Sequence, residues 1–153
     1  MMPADDSGTP RYVHRLVRWQ RLALYWVGAA LLLTGIVWLA VHYSVGSGAG
    51  ELPHPVEVWS LRLHGLAAFA GLFVLGVLAA AHIPQGWRLS QRRLWEGQRN
   101  TGVLLCAIAV LLTLTGYALF YFASESVRPA LGWAHAFIGG AMALLIASHR
   151  RGV

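Results

Sequence analysis

The side chains in this sequence best suited to chemistry are its seven histidines. His135 and His149 stand fourteen residues apart within one apolar stretch. On a helix that spacing is nearly four full turns, so both imidazoles share a face and are separated by about 21 Å along the axis. A rise of that size puts one imidazole near each surface of a hydrocarbon layer about 30 Å thick. His64 opens another apolar stretch that must run in the same direction, so it reaches a depth similar to that of His135. Imidazole is a common metal ligand and the usual axial ligand of haem iron. Two stacked b haems need ligands on one helix face, one at each side of the membrane. The spacing therefore predicts an outer haem between His64 and His135 and an inner haem on His149. For the fourth ligand two residues stay open. His82 lies on the same helical face as His64 but about one turn too deep, and His14 lies ahead of the first apolar stretch on the required side. His42 falls at the opposite end of that stretch. His54, between Pro53 and Pro55, reads as an ordinary polar loop residue.

Other chemistries find little to work with. Intervals 22–50, 63–87, 100–124 and 129–149 contain no Asp, Glu, Lys or Arg. Ion-coupled transporters usually need carboxylates inside the membrane, which weighs against a metal permease built on the histidines. No Ser–His–Asp set, carboxylate pair or phosphate-binding loop is present. Cys106 is the single cysteine, so no internal disulfide can form, and without a C-x-x-C-H motif a haem would be held by coordination and packing. All twelve Lys-plus-Arg positions are Arg, and they cluster beside the apolar stretches. The net charge of +6 thus follows the pattern of membrane topology, not of nucleic-acid binding.

Placing these histidines requires membrane helices. The chain is 57% hydrophobic and 12% charged, about half the charge of a soluble domain. Backbone groups in lipid must be satisfied within their own segment, which dictates helices. The expected fold is all-α: an integral membrane four-helix bundle forming a single domain over 1–153, with helices at about 18–43, 59–84, 99–123 and 129–149. Arg11, Arg15, Arg18 and Arg21 precede the first helix, Arg88, Arg92, Arg93 and Arg99 fill the second loop, and Arg150 and Arg151 close the chain. The other two loops hold only Arg62 and Arg128, with Glu51, Glu57 and Glu125. Both termini are therefore expected to be cytoplasmic. Trp59, Tyr117, Tyr121 and Trp133 read as interface anchors. A faint repeat also exists: Leu33-Thr34-Gly35 and Leu114-Thr115-Gly116 each precede a helix with a histidine near its outer end.

Three stretches carry a family resemblance. Leu61-Arg62-Leu63-His64-Gly65 leads into a helix ending His82-Ile83-Pro84. Asn100 and Gly102 open a helix reaching Leu114-Thr115-Gly116. His135-Ala136-Phe137-Ile138-Gly139 runs on to His149. With these, the chain resembles the cytochrome b (gamma) subunit of formate dehydrogenases and the related hydrogenase-type b cytochromes. The resemblance implies two b haems, with His64 and His135 on the outer one and His149 on the inner one. It also implies quinone chemistry near the inner haem and a redox partner, a subunit or c-type cytochrome, on the outer face of a bacterial cytoplasmic membrane. The family's helix 1 histidine, fourteen residues before Gly35, is Arg21 here, with His14 two turns earlier. The function expected is electron transfer across the membrane as one subunit of an oxidoreductase. Arg18, Arg21, Arg88 and Arg92 are candidate partners for haem propionates. The alternative is a haem-free membrane anchor or assembly subunit for a peripheral redox enzyme.

Overall fold

The computed structural model describes residues 16–90 and 96–151, so the expected ligand His14 lies outside the described residues. Four helices form: α1 (Arg18–Ser44), α2 (Pro55–Ser90), α3 (Glu96–Tyr121) and α4 (Arg128–Arg151). Each contains a stretch long and apolar enough to cross a membrane. The fold class is therefore all-α with four membrane-capable helices.

Local signals set the ends. Gln20 Oε1 accepts the Val17 backbone N–H at 3.3 Å where α1 begins. After α1 the chain makes one 3-10 turn, Ser47–Ala49, closed by Gly50 at φ 88°, a left-handed conformation that favours glycine. Pro55 begins α2, where a missing N–H costs nothing. His54 caps it: its carbonyl accepts from Glu57 N at 2.9 Å and its Nδ1 from Val56 N at 3.2 Å. Arg128 returns its guanidinium to the Ala123 carbonyl at 2.9 Å as α4 starts.

α2 is longer than the expected 59–84. It starts with the capping turn at Pro55 and runs through Pro84 to Ser90, 36 residues in all. A proline removes one backbone bond, and the helix continues past it.

Backbone contacts run α1–α2, α2–α3, α3–α4 and α4–α1, closing a ring, while among the described residues the backbones of the diagonal pairs stay apart. Two hairpins, α1/α2 and α3/α4, are each closely packed and meet more lightly. Gly71 lets α2 approach Val27 and Leu31 of α1, where an added Cβ would lie 3.4 and 3.7 Å from their side chains. Among the described residues only Val74, Leu78 and Ile108 are buried large apolar side chains. Trp26 and Phe69 are each 75% exposed and Phe137 71%. Monomeric soluble proteins rarely expose apolar surface of this extent, whereas lipid-facing helices do. Among lipid tails, helix association rests on packing and cross-helix hydrogen bonds, and the hairpins carry several of the latter.

Candidate functional site

Thr34 sits on the inward face of α1, ten residues before the helix ends. A helical threonine can donate its hydroxyl proton to the carbonyl one turn back, and Thr34 Oγ1 does so to Ala30 O at 2.6 Å. The oxygen is then free to accept. His64 on α2 meets it with Nδ1 at 2.9 Å. Because the threonine proton is committed to the backbone, the hydrogen between the two side chains belongs to the imidazole. His64 therefore carries its proton on Nδ1, and Nε2 keeps an unshared pair.

The second hairpin repeats the arrangement. Thr115 Oγ1 on α3 donates to Leu111 O at 2.8 Å and accepts from His135 Nδ1 of α4 at 2.8 Å. His135 takes the same tautomer by the same reasoning. The glycine after each threonine stands beside the imidazole it serves. A Cβ on Gly35 would lie 3.6 Å from His64 Cε1, and one on Gly116 3.4 Å from His135 Cε1.

The two half-sites converge. α2 and α4 are diagonal in the ring, yet the His64 and His135 rings meet with centroids 6.2 Å apart and planes at 70°. A metal–imidazole bond is about 2 Å and the ring centroid lies about 1 Å behind the nitrogen, so two imidazoles on one metal ion stand about 6 Å apart. The observed separation fits that requirement. No third His, Cys, Asp or Glu joins them among the described residues.

The remaining expected ligands are placed as follows. His149, near the end of α4, has Nδ1 hydrogen-bonded to Thr101 Oγ1 of α3 at 2.8 Å. It thus has the same kind of partner as His64 and His135. His82 lies half-buried on α2, two residues before Pro84.

His42 and His54 are held differently. His54 caps α2, as described above. His42 Nδ1 meets Glu57 Oε1 at 2.6 Å, tying the loop ends of α1 and α2 together. Ser47 adds its hydroxyl at 2.7 Å to Oε1 and its backbone N–H at 3.2 Å to Oε2, and Trp38 stacks on the His42 ring at 4.4 Å. Sequence reasoning assigned Glu57 to the outer loop. In the fold it is a buried side chain in the first turn of α2. Nearby, Tyr43 stacks on Trp133 at 5.4 Å, and Arg62 lies over Trp59 at 5.2 Å.

The three threonines are what sequence reasoning missed. The repeated Leu-Thr-Gly was visible, but what the hydroxyl would touch was not. No protein-family model, curated protein or solved structure matches the chain.

Proposed function

We propose that this protein is a multi-pass membrane cytochrome b that carries electrons across a bacterial cytoplasmic membrane. One observation carries the reading: two imidazoles from diagonal helices come together with centroids 6.2 Å apart, each with Nδ1 hydrogen-bonded to a threonine. Two nitrogens satisfy only two positions of a metal ion, and no further protein ligand joins them among the described residues. The ion must then bring its other donors with it, and a porphyrin supplies four in a plane. Gly35 and Gly116 keep side-chain bulk away from the edges of the two imidazoles, where a flat ring system needs room.

When bound, haem supplies a one-electron couple at iron. The chain's own contribution would be to hold that group between two imidazole nitrogens. His64 and His135 would hold the outer haem. His149, with its Thr101 bond, would hold an inner haem, and His82 or His14 would supply the second nitrogen there.

The Arg distribution supports cytoplasmic termini. In that orientation the His64–His135 pair serves a periplasmic-side redox subunit or c-type cytochrome. The His149 end serves a quinone at the cytoplasmic side. In this reading, akin to the formate dehydrogenase gamma subunit, the chain is the electron-transfer subunit of an oxidoreductase. Its partners hold the substrate-converting sites.

The test is a pyridine haemochromogen assay with dithionite-reduced spectra on protein purified from cells supplied with haem. One or two b haems per chain supports the reading. No haem overturns it and leaves a membrane anchor for a peripheral redox enzyme.

A further inference from the structure

We infer that Thr34 and Thr115 are positioning residues that set the redox potential of the outer iron, which rests on the haem reading above. Each hydroxyl gives its own proton to a carbonyl of its helix, Ala30 O at 2.6 Å and Leu111 O at 2.8 Å. Each oxygen then accepts from an imidazole Nδ1, at 2.9 and 2.8 Å. A hydroxyl that is already donating is polarised and becomes a better acceptor. Drawing on Nδ1–H makes the imidazole a more basic ligand at Nε2. A more basic ligand favours the ferric state over the ferrous, so the pair of threonines holds the potential down.

The two half-sites are alike in residue type, bond order and distance, although they come from different hairpins. Their effects on one iron should therefore be similar in size and should add. Thr34 and Thr115 are not ligands, and packing alone is not their role. A valine in either place has nearly the same shape but cannot accept the hydrogen bond, while a serine keeps the hydroxyl and loses the methyl.

The test is potentiometric titration of the haem-loaded wild type, Thr34→Val, Thr115→Val, the double variant, and Thr34→Ser and Thr115→Ser. Loss of an outer-shell partner typically changes metal-site behaviour by tenfold or more. Tenfold in a one-electron equilibrium is about 59 mV. Each Val variant should keep its low-spin spectrum and shift upward by about that amount. The double variant should shift by about the sum, and the Ser variants should stay near wild type. Loss of haem in the Val variants with retention in the Ser variants also supports the inference. Unchanged potentials in haem-loaded Val variants overturn it, and so do Ser variants that behave like Val. A wild type that takes up no haem removes the haem reading itself, and this inference with it.

Discussion

Replacing His64 by alanine separates the cost to the fold from the cost to the site. In the fold, Thr34 keeps its bond to Ala30 O at 2.6 Å, so no buried donor is orphaned. One cross-helix hydrogen bond is lost, about 1 kcal/mol within a bilayer. The packing of a half-buried ring is also lost, about 1 kcal/mol of dispersion contact. Against that sum of about 2 kcal/mol, α1 and α2 keep the His42–Glu57 pair and the close approach at Gly71. The hairpin should therefore survive. At the proposed haem site, one of the two imidazole ligands would disappear. Changing an outer-shell partner already costs 10–100-fold in affinity, so removing the ligand itself should cost more than about 100-fold. His135→Ala should behave the same way, because its half-site repeats the geometry. The assay is haem per chain by pyridine haemochromogen, alongside thermal unfolding in detergent. The expected result is loss of the outer haem with a small drop in unfolding temperature. His64→Met should restore binding with a raised potential, as Met/His ligation does elsewhere. Wild-type haem content and spectrum in either alanine variant would refute the assignment of these two ligands.

Further outcomes follow from the same geometry. His149→Ala should reduce haem content by one per chain and leave the outer haem's spectrum intact; an unchanged count removes His149 from the ligand set. Glu57→Ala strips the acceptor from His42 and Ser47 and should destabilise the protein by about 1–3 kcal/mol with haem content unchanged, read by thermal unfolding and absorbance. Gly46→Ala would drive a Cβ into Glu57 and to 2.9 Å from Val41 O and 3.1 Å from His42 Cα. It should cost about 1–3 kcal/mol, whereas Gly28→Ala, with nothing within 4 Å, should be neutral or slightly stabilising in the same melt.

The helices were legible because lipid-compatible segments announce themselves by the absence of charge, and all four expected helices formed. Their ends were less legible. Glu57 was assigned to the outer loop ahead of the expected start at 59, yet His42 and Ser47 hydrogen-bond it inside the first turn of α2. Pro84 marked the other boundary, and the helix continues to Ser90 because a single lost backbone bond is tolerable in a helix this long. The pairing of His64 with His135 followed from depth alone. Depth could not reveal the threonines, since a hydroxyl facing a neighbouring helix and one facing lipid look identical in sequence. The Thr–His spacing across a hairpin depends on loop length and on how far each residue stands from its helix end, so the threonine-to-histidine separation is thirty residues in one hairpin and twenty in the other. That difference hid the Thr–His pairing, although the Leu-Thr-Gly repeat itself was visible.

The repeat also bears on the inner haem. Fourteen residues before Thr115 stands Thr101, and fourteen after His135 stands His149, and these two are hydrogen-bonded at 2.8 Å. The same steps in the first hairpin lead from Thr34 to Gln20 and from His64 to Leu78. Gln20 is engaged with the Val17 backbone N–H at the start of α1, and Leu78 is one of the few buried apolar residues. The first hairpin thus places a histidine at the outer symmetric position and an aliphatic side chain at the inner one. An inner haem on His149 must take its second nitrogen from off the symmetry position. His82, one turn beyond Leu78, is the nearest histidine along α2. Such a haem would sit closer to the Arg-rich end than the fourteen-residue spacing alone implies, in a site whose two sides differ. The outer and inner haems should then differ in spectrum and potential even though they share α4. A reductive titration that resolves two unequal components, one abolished by His149→Ala and by His82→Ala alike, would identify His82 as the second inner ligand. Retention of that component in His82→Ala would pass the role to His14.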